Sequence, residues 1–406
     1  MPPPPAHHPK ILFVNEFAPD SLLVADLSRQ LLLGYPADRL AWWHWRPGAQ
    51  REVRDLQVGS RHFWPLPEKW VPNRKFAALK SAVMERVFVP LAARHLRRTI
   101  AEVKPDVVWV LAFSWPILIA RNAIRKSGPR LHVSLWDMPD TRPQRKTLGD
   151  ARTCRMLDGI YQLIRQADSC DGISPAVMEE IAAKTERRDV IPVHSGFEPH
   201  HLRALEAMSP GGGEDVIRLA YVGTIISEKT FLALLAALNK VRATSPRPVV
   251  LEFFGARNYR SRPWFDPQWM VEHGIFSDQG LVESLQRCEW GIVVMDLEGE
   301  DLRYSRFSFP NKIGTYLSAG VPVLGVGHPQ SCLTEIMQRH RMGRCLSEGG
   351  EAALEKFLSD ILKTPQPRSF FRDDILQCAR AEFNATEIRQ RLWTAWGARL
   401  LEAGKT

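Results

Sequence analysis

The sequence lacks any apolar run of the roughly 18 to 20 residues that a membrane-spanning helix requires. The proline-rich stretch 1–9 has no apolar core of the kind that marks a secretory signal, so we expect a disordered tail there. Both absences favour a soluble, cytoplasmic protein. Attachment to the inner face of a membrane through a surface patch stays open.

Cysteine is scarce and is never clustered. The 6 cysteines among 406 residues show no CxxC spacing, so reduced and mostly buried thiols are expected, as is usual in a cytosol. A strand followed by GxGxxG is also missing, because the glycines at 211–213 follow no predicted strand and 325–327 lacks the third glycine. A nicotinamide-dependent dehydrogenase is therefore set aside.

What is present is an α/β pattern that is too long for one core. A single core seldom exceeds roughly 250 to 300 residues, and 45% hydrophobic with 24% charged residues is typical of globular proteins. Short apolar strands separated by helical periodicity predict parallel sheets. The strands predicted in the first half are 11–14, 40–45, 107–111 and 131–135.

The clearest break in composition is the segment 206–214, which contains the run Ser-Pro-Gly-Gly-Gly. Such a run predicts a linker between two domains. It would separate an N-terminal domain, 10–205, from a C-terminal domain, 215–385. The remaining residues, 386–406, begin as a helix with one apolar stripe.

The most informative stretch is YSRFSFPNKIGTYLSAGVPVL at 304–324. Ser308-Phe309-Pro310 can cap and open a helix, Gly320 predicts a left-handed cap at its end, and a buried strand follows at 321–324. Lys312 would then lie in the first turn, at the positive end of the helix dipole, with no acid to offset it. An anion would account for this placement, because free N–H groups and an ammonium together form a phosphate site. A solvated surface lysine is the alternative.

A second helix start repeats this arrangement. The predicted strand 218–222 runs into a turn at Gly223 and Thr224, and a helix is predicted over 228–241. Lys229 lies in its first turn beside an acid, so an ordinary mixed-charge turn is the alternative. Because open α/β sheets bind ligands at the carboxyl ends of their strands, we expect the two lysines to meet there. The sequence therefore predicts a diphosphate site between them.

These motifs resemble those of GT-B glycosyltransferases of the family-four type. YVGT at 221–224, followed by Lys229, is similar to FVG-R/T-x-x-x-x-K, and LEFFG at 251–255 is similar to the L-x-x-x-G strand end. The segment 308–323 is similar to S-x-P-x-K-x-x-E-Y-L-A-x-G-x-P-V. The stretch 167–196 resembles the AD…S…VIPNG end of the N-terminal domain. The four elements occur in the family order.

The resemblance implies an α/β fold of two Rossmann-like, doubly wound domains facing a cleft, with the acceptor on the first domain and the nucleotide sugar on the second. It implies a metal-independent, retaining glycosyltransferase that acts on a hydroxyl acceptor in cell-envelope, exopolysaccharide or glycolipid synthesis. The terminal helix would cross back onto the first domain. The implied donor-site residues are Gly223, Thr224, Lys229, Gly255, Ser308, Pro310, Asn311, Lys312, Thr315 and Tyr316. Of these, Lys229 and Lys312 would stabilise the leaving diphosphate.

The chain departs from the family at three donor positions. Thr315 stands where the family has a glutamate for the ribose hydroxyls, Phe307 replaces its partner glutamate, and Thr224 replaces an arginine. The lost contacts would be remade by Thr315 and by Arg303 or Arg306. The same departures leave open a non-catalytic scaffold of this fold whose donor site has decayed.

Candidates for the acceptor side are fewer. Asp137, which follows the predicted strand 131–135, would be the general base of an inverting transferase or would orient the acceptor of a retaining one. A turn before a proline is the alternative. His194 would touch donor or acceptor at the domain junction, or be a plain loop histidine. The three arginines within 257–262 would meet an anionic acceptor or nucleotide, or form a flexible basic loop.

One acidic cluster could suggest a metal site. Asp296, Glu298, Glu300 and Asp301 lie close together, but in a loop where solvated acids are normal. We therefore expect no metal, and no cofactor besides the nucleotide-sugar co-substrate.

The net charge is +9, and much of the excess falls in the segment 61–98, where aromatic residues are interleaved with lysine and arginine. An anionic membrane surface or a lipid-linked acceptor would attract this segment, with each cation contributing about 1 kcal/mol near the surface. A helix with a solvated basic face is the alternative. Nucleic acid is not an expected partner, because no nucleic-acid motif accompanies the charge.

Overall fold

The computed structural model describes residues 8–19, 25–46, 56–66, 70, 76–124, 128–140, 145, 148–208, 215–299, 301–363 and 368–398. The chain forms two compact units. The first contains Met1–His194 together with Glu387–Thr406, and the second is Ser195–Thr386. Residues 1–7 of the predicted tail lie outside the described residues.

The first unit is built on a sheet of seven parallel strands in the order β3-β2-β1-β4-β5-β6-β7. Phe13 pairs in register with Trp42 on one side and Trp109 on the other, and these central strands are buried throughout. Continuous apolar runs of this kind are typical of parallel sheets covered on both faces. The strands are β1 Ile11–Val14, β2 Leu40–His44, β3 Ser60–Phe63, β4 Val107–Leu111, β5 Arg130–Leu135, β6 Ser169–Gly172 and β7 Val190–Pro192.

Helices connect these strands in the α/β manner. Between β3 and β4, two helices are joined by a π-helical turn at Met84–Phe88. The helices are α1 Ala25–Leu32, α2 Ala77–Val83, α3 Val89–Val103, α4 Pro116–Ala123, α5 Asp150–Gln166 and α6 Pro175–Thr185. Within the described ranges, no helix combines the length and the hydropathy needed to cross a bilayer.

The second unit contains a sheet of six parallel strands in the order β10-β9-β8-β11-β12-β13. The strands are β8 Ile217–Val222, β9 Val249–Phe254, β10 Met270–Gly274, β11 Trp290–Val294, β12 Val323–Val326 and β13 Gly343–Leu346. The helices are α7 Pro199–Ala207, α8 Glu228–Arg242, α9 Asp278–Leu285, α10 Leu302–Phe307, α11 Lys312–Ser318, α12 Cys332–His340, α13 Glu351–Lys363 and α14 Arg372–Glu382.

The last described helix, α15 Ala385–Trp396, begins in the second unit and continues in the first. In the first unit Trp393 donates from its indole N–H to the carbonyl of Leu31 at 2.9 Å, and Arg130 donates to the carbonyl of Ala395 at 3.0 Å. The buried ring of Trp396 lies 4.8 Å from that of Trp109, centroid to centroid. This helix therefore completes the core of the first unit.

The units divide between His194 and Ser195, upstream of the predicted linker 206–214. Residues 195–208 belong to the second unit because their backbone is bound there: Phe197 donates to the carbonyl of Phe383, and Arg372 donates to that of Met208. Residues 209–214 lie outside the described residues, so the linker itself stays a prediction.

Most predicted strands lie within a residue or two of their predicted bounds, but the prediction that Ser308-Phe309-Pro310 opens the next helix was wrong. Ser308 does not cap it: its N–H donates to Tyr304, and it ends α10 instead. Phe309 and Pro310 form a further turn before α11 begins at Lys312. Gly320 has φ +63, which confirms the predicted left-handed residue after the helix. The strand that follows begins at Val323 rather than at 321.

Candidate functional site

Two glycines meet where β8 and β9 end in the second unit. Gly223 has φ +75 and donates to the carbonyl of Phe254 at 2.7 Å. Gly255 has φ +137, and a Cβ at this position would lie 3.3 Å from the Cα of Gly223. Glycine tolerates both the backbone angles and the close approach. The loops after these strands are therefore packed directly on each other at the carboxyl edge of the sheet.

Lys312 reaches this edge from the start of α11. Its Nζ donates to the hydroxyl of Tyr221 at 2.9 Å and to the carbonyl of Thr224 at 2.7 Å, and it lies 4.0 Å from the centroid of the Tyr221 ring. No carboxylate of the described chain lies within ion-pair distance of it. Burial lowers the pKa of Lys312 from its ordinary value of 10.5 to about 7. Beside the two glycines thus lies a lysine that has no carboxylate partner among the described residues.

The helix dipole contributes less to this site than the sequence predicts. Helix α11 has only seven residues. The N–H groups of Asn311 and Ile313 already donate to the carbonyls of Phe309 and Pro310. Two amides of the first turn are therefore already engaged, and the ammonium of Lys312 supplies the charge that an anion would meet.

Lys229 lies in a different environment. It is exposed and forms an ion pair with Glu298, in the loop after β11. That loop is fastened to the start of α8, because Leu297 donates from its N–H to the hydroxyl of Thr230 at 3.2 Å. The structure thus gives Lys229 a carboxylate partner, whereas Lys312 has none within the described ranges.

Tyr316 faces the interior of the sheet. It is fully buried, and its hydroxyl accepts from the N–H of Val222 at 2.9 Å and lies 3.1 and 3.0 Å from the carbonyls of Ala220 and Ile292. Its ring fills the space above Gly291, where a Cβ would lie 2.2 Å from ring carbon. Tyr316 therefore fixes α11 to β8 and β11, and its predicted contact with the donor would be indirect.

The other predicted donor residues surround α11 without converging on one point. Thr315 and Ser308 are half-buried, Pro310 is buried and Asn311 is exposed. The amide oxygen of Asn311 accepts from the hydroxyl of Ser195 at 3.0 Å.

An open cleft of about 480 Å³ lies beside Thr224. It is lined by the loop after β8 and the loop after β9, including Thr224, Glu228, Arg257, Asn258, Tyr259 and Arg262. Arg257 donates from Nε to the hydroxyl of Thr224 at 3.2 Å. Arg262 lies 4.0 Å from a carboxylate oxygen of Glu228. The cleft is therefore basic on one wall.

Two tyrosines that were not among the predicted site residues hold this edge together. The hydroxyl of Tyr259 donates to the carbonyl of Gly223 and accepts from the N–H of Ile225, both at 2.9 Å. Tyr221 offers its ring and hydroxyl to Lys312. Tyr221 was quoted only as the first residue of the YVGT motif, and Tyr259 lies four residues after Gly255 in a loop with no periodicity.

The residues predicted to replace lost family contacts pack on Phe307. The guanidinium of Arg303 lies 4.8 Å from the ring centroid of Phe307, and that of Arg306 lies 5.6 Å away. Phe307 itself is buried. The two arginines thus flank the position at which the family has a glutamate.

In the first unit, Asp137 follows the end of β5 and is solvent-exposed. Partial loss of hydration raises the pKa of its carboxyl to about 6. His194 is buried at the end of this unit.

The acidic loop after β11 is engaged with its own backbone. The carboxylate of Asp296 accepts from the N–H of Glu298 at 3.2 Å and from that of Asp301 at 2.6 Å. No group of three or more histidine, cysteine or acidic residues suited to a metal ion occurs in the part of the chain that the structure describes. Glu300 lies outside that part.

No family model matches the sequence, and no curated protein matches it. Solved structures do resemble its fold. Anabaena HepE in complex with UDP and glucose matches with a TM-score of 0.64 and 14% identity over 96% of this chain and 100% of that one. Sucrose-phosphate synthase from Thermosynechococcus elongatus matches with a TM-score of 0.67 and 12% identity over 95% and 98% of the two chains. The lipopolysaccharide outer core galactosyltransferase WaaB matches with a TM-score of 0.62 and 15% identity over 95% of this chain and 98% of that one. These similarities, together with the two parallel sheets, confirm the predicted GT-B fold.

Proposed function

We propose that this protein is a glycosyltransferase that moves a sugar from a nucleotide-sugar donor to a hydroxyl acceptor. The observation that carries the proposal is the ammonium of Lys312, which is desolvated and has no carboxylate partner among the described residues, at the carboxyl edge of the second sheet. A diphosphate would supply the missing counter-charge. Structures of the same fold contain UDP or UDP-glucose, which makes UDP the first nucleotide to test.

The chemistry needs a cation at this place. During transfer the bond between the anomeric carbon and the β-phosphate oxygen breaks, and a bond to the acceptor oxygen forms while that oxygen loses its proton. Negative charge therefore grows on the departing diphosphate. Lys312 would stabilise it, and a well-placed donor of this kind typically contributes about 3 kcal/mol to lowering the barrier. Lys229 would assist if the nucleotide displaced Glu298 from it.

We further propose that the reaction needs no metal and retains the anomeric configuration. Support for the first point comes from the acidic loop, where Asp296 binds backbone amides and Glu298 binds Lys229. Asp137, with a pKa raised to about 6, would orient the acceptor hydroxyl of a retaining enzyme. In an inverting enzyme it would be the base, and the anomer of the product distinguishes the two.

A basic-apolar face on α2, the π-helical turn and α3 supports a membrane-associated acceptor. Phe76 and Leu79 are 75% and 60% exposed, and Val87 and Leu91 are also exposed. Basic side chains lie among and beyond them on the same helices, namely Lys80, Arg86, Arg94, Arg97 and Arg98. The nearby acid, Glu85, is paired with Arg152 and Arg155.

This face suits the interface of an anionic bilayer, with the apolar residues inserted and the cations among the headgroups. We propose that it brings the enzyme to a lipid-linked acceptor or a growing cell-envelope polysaccharide. WaaB, which has the same fold, acts in the lipopolysaccharide outer core.

The donor is tested by thermal shift with nucleoside diphosphates and nucleotide sugars on the wild type and Lys312→Ala. Ligand at 100 times its dissociation constant should add about 2.7 kcal/mol of stability. We expect one nucleotide to stabilise the wild type and not the variant. Lys240→Ala is the control, because Lys240 is exposed and paired with Glu351 and Glu355. If no nucleotide stabilises the wild type, the protein is a scaffold that has lost its donor site.

The basic-apolar face is tested by sedimentation with phosphatidylglycerol-containing vesicles. Val87→Glu combined with Leu91→Glu should abolish binding. Leu232→Glu, at an exposed leucine of α8, should leave it intact. Equal sedimentation of both variants would refute the role of this face.

A further inference from the structure

Thr224 lies between two cations that come from different loops. The carbonyl of Thr224 accepts from Lys312 Nζ at 2.7 Å, and its hydroxyl accepts from Arg257 Nε at 3.2 Å. Because both acceptors belong to one residue, the two donor nitrogens lie within about 10 Å of each other. Each repels the other, and an anion placed between them would remove that repulsion.

Neither cation has a carboxylate partner in the described part of the chain. Of the three arginines in the loop after β9, Arg257 is the one that can bind an anion in the cleft. Arg262, on the same wall of the cleft, faces Glu228. Arg260 does not line the cleft. Arg257 is exposed, and the hydrogen bond that it donates to Thr224 is made through Nε and not through its terminal nitrogens.

We infer that Arg257 is the second diphosphate-binding cation of this protein and works with Lys312 across Thr224. This inference rests on the proposed function and adds to it a residue from the loop after β9. Lys312 provides a fixed point charge, held by Tyr221 and Thr224. Arg257 provides a planar guanidinium that can bind two phosphate oxygens at once. The cleft beside Thr224 gives the diphosphate its entrance.

The inference is tested by isothermal titration calorimetry with two probes, inorganic pyrophosphate and UDP. Arg257→Ala should lower the affinity for both probes by about 10- to 100-fold, the loss expected for a charge-assisted bidentate contact. Arg257→Lys should recover only part of this, because an ammonium cannot make the bidentate contact. Arg260→Ala removes the same charge three residues away, outside the cleft, and should bind both probes like the wild type. Arg257 is exposed, so its variants should keep the wild-type melting temperature.

The two probes separate the possible failures. If UDP binds the wild type and Arg257→Ala equally, the inference is overturned while the proposed function stands. If pyrophosphate binds and needs Arg257 but no nucleotide sugar is bound or turned over, the inference stands and the proposed function fails. If neither probe binds the wild type, both are overturned.

Discussion

Replacing Lys312 with methionine should stabilise the protein and abolish its binding of nucleotides. Methionine has a similar length and no charge to desolvate. The pKa of Lys312 is lowered from 10.5 to about 7, which corresponds to about 5 kcal/mol at 1.36 kcal/mol per unit. Because the side chain keeps some contact with water, we expect about 2 to 4 kcal/mol of this to appear as stability.

The gain should depend on pH in a defined direction. Below pH 7 the lysine is protonated in both the folded and the unfolded chain, so the folded wild type carries the full desolvation cost. Between about pH 7 and 10.5 the folded protein loses this proton while the unfolded chain keeps it, so the cost fades as the pH rises. The advantage of Lys312→Met is therefore greatest at pH 6 and small near pH 10.

The affinity for UDP should depend on the protonation of Lys312 as well. A diphosphate requires the charged form of Lys312, so the affinity of the wild type for UDP should fall roughly tenfold per pH unit above about pH 7. Titration in buffers of different ionisation enthalpy should then detect proton uptake.

Chemical denaturation of wild type and variant at pH 6, 8 and 10 measures the stability difference. A gain of 2 to 4 kcal/mol corresponds to about 5 to 10 °C in the melting temperature of a unit of this size. Lys240→Met is the matched control, because its ammonium is already paired at the surface. A Lys312→Met protein that is less stable than wild type at pH 6, with UDP affinity independent of pH, would refute the reasoning.

Two further substitutions test other parts of the site. Tyr316→Phe should cost about 1 to 3 kcal/mol of unfolding free energy, because the N–H of Val222 loses its acceptor inside the sheet; denaturation that matches wild type would show that the hydroxyl is dispensable. Asp137→Asn should lower kcat by about 10²- to 10⁴-fold and leave UDP affinity unchanged, and the wild-type rate should fall below about pH 6 as the carboxylate is protonated. A kcat equal to wild type would remove Asp137 from the reaction.

The strands that the sequence predicts in the first half are mostly apolar runs. The run at 107–111 is the strand β4, and the run at 11–14 is β1. Six strands were not predicted, namely β3, β6, β7, β10, β11 and β13. Of these, β3 at Ser60–Phe63 is largely polar and alternates half-buried with exposed residues. The pattern of apolar residues reflects burial, so a half-exposed strand such as β3 shows no clear apolar pattern in the sequence.

The site was predictable as a location but not in its contacts. Lys312 and Tyr221 are 91 positions apart, and no local pattern links them. The role of Tyr316 depends on Gly291, which leaves room for a ring against β11. Lys229 was assigned with Lys312 because both follow strand ends, yet the acid that pairs with Lys229 comes from a distant loop. Spacing identifies a helix start, but only the tertiary structure decides which charge remains without a partner.

The path of α15 has a consequence for the order of events during synthesis. The second unit is continuous, so all of its residues have left the ribosome once 386 has emerged. The first unit is interrupted in sequence by the second. Trp393 and Trp396, which contact Leu31 and Trp109, are therefore translated only after the whole second unit. Although it is translated first, the N-terminal unit is therefore the last to close its core, and a nascent chain would expose that apolar surface throughout translation of the second unit.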